Sequence, residues 1–229
     1  MRIQVAAENA LIIYFAEQVS EKTLAQVQAY TSLLADKNQH NYVIDLVPSY
    51  TSLMVVYDVT KINHSQLVQQ LETLAVQSVS NGEAGSKDVV IPVYYSLDTG
   101  PDLERIATHH QIDVEKVIEL HQSQSYLVYA IGFAPGFAYL GSVPPQIAMP
   151  RLSTPRKRVP KGAVAIADRQ TAVYPAASPG GWNIIGNSPM TLFDPSANPV
   201  MPFNVGDRVR FESVNLSQFK QLGGQPDEF

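Results

Sequence analysis

Apolar and polar positions change their spacing along this chain, and each change predicts an element. Short apolar runs at Arg2–Val5 and Ala10–Phe15 flank Glu8-Asn9, which predicts two strands joined by a hairpin turn. Ser20-Glu21-Lys22-Thr23 then opens a stretch with Leu24, Val27, Tyr30, Thr31 and Leu34 at helical spacing. Asp36 to Asn41 is a polar stop. Tyr42–Val47 and Ser52–Asp58 are strand-like runs separated by Pro48-Ser49-Tyr50. Asn63 is positioned to cap a second helix, with Leu67, Leu71, Leu74 and Ala75 forming its apolar stripe. The sum, ββαββα, predicts a small antiparallel α+β layer with both helices on one face.

Asn81-Gly82-Glu83-Ala84-Gly85-Ser86-Lys87 has the composition of a linker, which divides the chain into residues 1–84 and 85–229. Asp88–Tyr94 reads as a strand. Asp102 and Asp113 each begin a short helix, and Ser125–Ile131 is a further strand. Beyond it the runs are short and punctuated by turn residues: Ala163–Ala167, Ala172–Tyr174, Trp182–Ile185, Met190–Phe193 and Asp207–Phe211. That pattern predicts a compact all-β barrel or sandwich, with a frayed tail from Gly223 to Phe229.

Hydrophobic residues make up 45% of the 229, ordinary for a globular protein, and no apolar run is long enough to cross a bilayer. The N-terminus has no apolar h-region, so no signal peptide is expected. The lack of cysteine excludes disulfides and thiolate metal sites and fits a cytoplasmic address. A net charge of −5 argues against general nucleic-acid binding. The charge is unevenly spread, however. Six of the 16 Lys and Arg fall between Arg151 and Arg169 against one acid, Asp168, a local net charge of +5. Such a window is either a solvated loop or an anion site, since arginine forks match carboxylate and phosphate.

The neighbours of that window favour the anion site. Gly132 to Leu140 reads Gly-Phe-Ala-Pro-Gly-Phe-Ala-Tyr-Leu. Gln170 to Pro175 and Ser178 to Asn183 add Gln-Thr-Ala-Val-Tyr-Pro and Ser-Pro-Gly-Gly-Trp-Asn. Glycines admit close backbone approach and prolines stiffen loops, so binding sites are often built from such segments. Gln170 and Tyr174 carry groups that suit an amide or lactam, although both also suit a barrel wall. Trp182 is either core or one wall of a pocket. Phe133, Phe137 and Tyr139 alternate as packed residues do. Gly180-Gly181 lacks the Lys-Ser or Lys-Thr of a phosphate loop, and neither a Gly-x-Ser-x-Gly elbow nor a His-Glu-x-x-His pair is present. No metal site is expected, because adjacent His109 and His110 point apart on a helix. His121, at a helix end, is either a cation favoured by the helix dipole or a proton donor facing the barrel.

These segments resemble the KipI/PxpB family, also described as allophanate hydrolase subunit 1 or carboxyltransferase subdomains C and D. The resemblance rests on Gly132 to Leu140, Pro150-Arg151, Pro155-Arg156, Val159 to Gly162, Gln170 to Pro175, Pro179 to Trp182, Leu192 to Pro195 and Gly206 to Phe211. Pro92 to Tyr95, Asp102-Leu103 and His121 fall in the same order, so it spans the chain. Ser96, Ala138 and Ala172 depart from the family pattern. Position 172 is commonly glycine, and alanine there tolerates positive φ badly.

The resemblance implies a ferredoxin-like α+β N-terminal domain followed by a cyclophilin-like barrel. It also implies one subunit of a bacterial ATP-dependent 5-oxoprolinase, which opens 5-oxo-L-proline to L-glutamate. The partners would be a PxpC-like barrel subunit and a PxpA-like subunit of the LamB/YcsF type. ATP, with magnesium, would be the co-substrate, held by this chain or elsewhere in the complex. His121, Arg156 and Gln170 would be catalytic; Arg151, Arg158, Tyr174, Gly180, Gly181 and Trp182 would bind the lactam or nucleotide. Two rival readings share the module: an inhibitor of a sporulation histidine kinase, and a component of a urea carboxylase or allophanate hydrolase system.

Overall fold

The computed structural model describes residues 1–36, 39–77 and 86–226, without the side chains of 75–77. Residues 81–85 of the expected linker, 227–229 of the expected tail and the Ala75 side chain lie outside the described residues. The chain divides into two compact units, Met1–Ser86 and Lys87–Phe229.

The first unit follows the element order its sequence predicts: β1 (Arg2–Ala7), β2 (Ala10–Tyr14), α1 (Glu21–Leu34), β3 (Val43–Ser49), β4 (Ser52–Tyr57) and α2 (His64–Gln77). The strands form an antiparallel sheet in the order β1-β2-β4-β3. Period-two alternation puts Leu11, Ile13, Leu53, Val55 and Tyr57 on one buried face. Leu24, Val27, Tyr30 and Leu34 of α1 are buried too. Ser20 caps α1 through the Thr23 N–H at 3.1 Å. Asn63 and Gln66 form a reciprocal capping box at the start of α2. The Tyr30 hydroxyl, which donates to Leu71 O at 3.2 Å, ties the two helices together. A ferredoxin-like domain has the order βαββαβ. The observed ββαββα order does not carry that expectation.

The second unit contains β5 (Asp88–Val93), α3 (Leu103–His110), α4 (Val114–Gln122), β6 (Tyr126–Ile131), β7 (Ala138–Gly141), β8 (Arg156–Val159), β9 (Ala163–Ala167), β10 (Gln170–Val173), β11 (Ser178–Gly180), β12 (Asn183–Asn187), β13 (Arg208–Ser213) and α5 (Leu216–Gln221). Seven strands form one mixed sheet, β12-β9-β10-β7-β6-β13-β5, with β5 and β13 parallel. Beyond the end of β5, Tyr94 exchanges backbone hydrogen bonds with Asn187 of β12, at 2.8 and 3.1 Å. The two outermost strands are thus stitched together into a nearly closed barrel. The separate ribbon β8–β11 completes the strand set.

The short helices expected at Asp102 and Asp113 are present as α3 and α4, while α5 corrects the all-β expectation for the rest of the chain. That helix is closed by a capping box between Asn215 and Gln218. Met190–Phe193 is not a strand, while β7, β8 and β11 were not anticipated. Ala172 lies in β10 and is not among the residues with positive φ.

Gly162 shows where glycine is required. Its φ is +81°, and an added Cβ would lie 2.1 Å from Ser188 O. Its N–H and C=O are already bonded to Tyr174 O and the Ser188 N–H. Gly162→Ala is expected to destabilise this unit by at least about 2 kcal/mol, from left-handed strain plus overpacking. Urea unfolding followed by the fluorescence of Trp182, the sole tryptophan, measures it.

Candidate functional site: an aromatic face capped by Arg151

Alternation along β9 builds the site. Val164 and Ile166 join the barrel's main core, while Ala163, Ala165 and Ala167 belong to a second cluster on the other face. Those small side chains, with Ala172 of β10, leave room for rings. Phe137, Tyr174 and Trp182 fill it, with Tyr139 packed against them. Phe137 lies 5.3 Å from Tyr174 and 5.7 Å from Trp182 between ring centroids, both edge-to-face. Tyr139 lies 6.0 Å from Trp182. The Arg151 guanidinium sits over the Trp182 ring, 5.8 Å from its centroid, within cation–π range.

Arg151 is exposed, but its backbone is held on both sides. Pro150 O accepts from the Asn183 side-chain amide at 2.9 Å, and the Leu152 N–H donates to Gly181 O at 2.7 Å. The same amide donates to Ile166 O at 3.0 Å, and Arg105 donates to Asn183 Oδ1. Asn183 is fully buried, so it anchors the Arg151 segment to the barrel wall.

Arg156 is placed differently. Its Nη2 donates to Asp102 Oδ1 at 3.0 Å, and its Nη1 lies 2.9 Å from Oδ2. Asp102 Oδ2 also accepts the Ile184 N–H at 2.7 Å. Asp102 is 4% exposed, so this is a two-pronged ion pair with its acid buried. Burial pushes the Tyr174 phenol above its ordinary value, while Arg151, the Trp182 backbone N–H and Arg156 act the other way. Arg156 pairs in register with Gly180, the residue that packs on the Tyr174 hydroxyl.

Tyr174 is buried, and a Cβ added to Gly180 would lie 2.3 Å from its hydroxyl. Gly180 thus admits the Tyr174 ring beneath β11, a packing role. Gly181 has more space, with nothing closer than 3.6 Å to an added Cβ. Arg158 is exposed on the ribbon. Gln170 is half-buried at the start of β10, opposite Gly141 and Ala167. Four residues at ~3.4 Å each put its Cα about 14 Å from that of Tyr174. Phe133, expected to pack, is 65% exposed with φ +73°, and reaches the cluster edge-on to Phe137 and Tyr174.

His121 lies elsewhere, inside the barrel. It is fully buried, with Nδ1 bonded to the Tyr95 hydroxyl and Nε2 to Thr171 Oγ1, both at 2.8 Å. Desolvation lowers its pKa to about 3, so it is neutral near pH 7. This corrects the expected helix-end cation. A sealed imidazole with both nitrogens engaged is also poorly placed to carry protons to a ligand. Among the described residues no cluster of His, Cys, Asp and Glu could hold a metal ion.

The carboxyltransferase domain family, subdomain C and D, matches this sequence over residues 1–203. The chain belongs to that family. Within the carboxyltransferase C and D family it is 35% identical to a 5-oxoprolinase subunit of Bacillus subtilis over 228 residues, covering 95% of each chain. It is 34% identical to the Escherichia coli O157:H7 protein of the same name, covering 92% of this chain and 94% of that one. The crystal structure of TTHA0988 superposes with a TM-score of 0.78 at 36% identity over 90% of this chain, which spans 40% of that longer one. The Kluyveromyces lactis urea carboxylase superposes with a TM-score of 0.76 over 96% of this chain and 22% of its own. At 16% identity that likeness concerns the fold alone.

Two residues of this carboxyltransferase-domain face carry no site role in the sequence reading, although both lie in its motifs. Asp102 reads as a helix cap, yet its side chain makes no cap bond and pairs with Arg156 instead. Asn183 follows Trp182 in the Gly-Gly-Trp-Asn run, but nothing in one dimension shows it holding Pro150.

Proposed function

We propose that this chain is one subunit of a 5-oxoprolinase, in which 5-oxo-L-proline is opened to L-glutamate with ATP hydrolysis. The observation that carries the reading is the match, at 35% identity and 95% of both lengths, to a protein named as a subunit of that enzyme. The barrel face adds chemical support. A lactam carbonyl is a poor electrophile, and phosphorylation of its oxygen would expose its carbon to water. The γ-phosphoryl group would pass to the lactam oxygen with ADP leaving; water adds at the carbon, the ring C–N bond breaks and the nitrogen takes a proton, and a second water splits the resulting γ-acyl phosphate into L-glutamate and inorganic phosphate. Such a reaction needs a substrate held in fixed orientation and donors aimed at developing negative charge. Arg151, on a pinned backbone beside an aromatic surface, meets the first need. ATP and magnesium would act in the assembled enzyme, with PxpC-like and PxpA-like subunits as partners.

The test is 5-oxoproline-dependent ATP hydrolysis by the three subunits mixed in all combinations. Turnover is expected only when all three are present. Equal turnover by the partners without this chain would remove the reading.

A further inference from the structure

We propose that Arg151 is the ligand-holding cation of this face, and that it takes the carboxylate of a small monocarboxylic acid whose body lies against the aromatic cluster. This rests on the 5-oxoprolinase reading only for the choice of ring. The charge argument stands apart from it.

The face contains several cations by sequence but few by chemistry. Arg156 is matched by both oxygens of Asp102 and adds no net charge. Arg105 is held by the neutral Asn183 amide, which orients it without matching its charge. Lys157 and Arg158 are exposed on the ribbon. Among the described residues no carboxylate pairs with Arg151. Of the cations left unmatched, Arg151 is the one whose guanidinium lies over Trp182. It matches a single carboxylate. A triphosphate carries several charges, and its sites gather several donors and a metal ion.

Arg151 is also prepared for the task. The bonds at Pro150 O and from the Leu152 N–H fix its backbone before any ligand arrives, which reduces the ordering cost of binding. A guanidinium that lies over an aromatic ring keeps its in-plane N–H fork for a carboxylate. Trp182 and Phe137 are buried beneath it, and half-buried Tyr139 offers apolar surface to methylene groups rather than a second charge. Asp102–Arg156 is then a positioning pair: it ties the ribbon strand β8 to the α3 N-terminus and to β12 without gripping the ligand.

Trp182 is the only tryptophan in the chain and lies under Arg151, so its fluorescence reads the site directly. The full chain, without partners, is titrated with 5-oxo-L-proline, acetate, pyrrolidinone and inorganic phosphate, with calorimetry as a second readout. Saturable binding of 5-oxoproline is expected. Pyrrolidinone, the same ring without the carboxylate, and phosphate should bind at least about tenfold more weakly, the scale of one lost charge-assisted bond. Arg151→Gln should weaken 5-oxoproline by a similar factor, and Arg151→Lys should restore only part because it lacks the fork. The proposal is overturned if pyrrolidinone or phosphate binds as well as 5-oxoproline. Unchanged affinity in Arg151→Gln overturns it, as does the absence of any saturable signal or heat with both 5-oxoproline and acetate. Acetate binding that needs Arg151, without 5-oxoproline binding or turnover in the reconstituted enzyme, would sustain the carboxylate site while sinking the 5-oxoprolinase reading.

Discussion

Acidification from pH 6.5 to about 3 is expected to remove roughly 4 to 5 kcal/mol of stability from the barrel unit through His121 alone. Burial lowers its pKa from 6.5 in the unfolded chain to about 3 in the folded one. Between those values the unfolded chain takes up a proton that the folded barrel refuses. The contribution is therefore complete above pH 6.5 and is lost as the pH falls towards 3. Its surroundings give the imidazolium no counter-charge. Tyr95 and Thr171 bond its two nitrogens, and the Phe211 and Tyr126 rings lie 4.4 and 5.5 Å away. Burial raises both tyrosine pKa values, so these phenols stay neutral across the window. Urea unfolding at several pH values, followed by Trp182 fluorescence, measures the slope. His121→Leu should flatten it, at a cost of about 2 to 3 kcal/mol near pH 7 from two hydroxyls left without their partner. Carboxylates contribute equally to both proteins, so the difference isolates His121. Identical slopes would show that the folded barrel takes up the His121 proton as readily as the unfolded chain does.

His121 also shows where reading by sequence stops. A histidine at a helix end is favoured as a cation when the helix is exposed, but desolvation in a closed barrel outweighs that dipole effect. The barrel itself is visible in one dimension only as short apolar runs. Strands as brief as β8 and β11, rich in Arg, Lys, Pro and Gly, lack the alternation that would reveal them. The first unit was more legible because its helices carry capping residues and full apolar stripes, and its strands lie next to each other in sequence. At the site, Arg151 stands out in its basic window and Trp182 as core or pocket wall, but nothing in one dimension joins the two. The state of Arg156 was not visible, because its partner lies 54 positions away and resembles an ordinary helix cap. Charge density in a window shows that cations are present. Only the fold shows which of them are already matched.

Asp102→Ala is expected to destabilise the barrel unit by about 3 kcal/mol, the low end for breaking a buried ion pair, because the Arg156 side chain is 29% exposed. Two losses combine. The Ile184 N–H loses its carboxylate acceptor, and Arg156 is left facing a site that no longer neutralises it. Adding Arg156→Ala should then cost far less than Arg156→Ala alone, giving a coupling of roughly 2 kcal/mol in a double-mutant cycle. Strict additivity would show that the pair contributes nothing as a pair. Asp102→Asn separates charge from support, since its side-chain oxygen can still accept the Ile184 N–H while the ion pair is lost. That variant leaves two unmatched arginines beside Tyr174 in place of one. If charge matching is what tunes this face to a monocarboxylate, Asp102→Asn should bind phosphate, read by Trp182 fluorescence, more tightly than the unaltered chain does. A folded Asp102→Asn protein with no such gain would mean that Arg156 points away from the ligand whether or not it is paired.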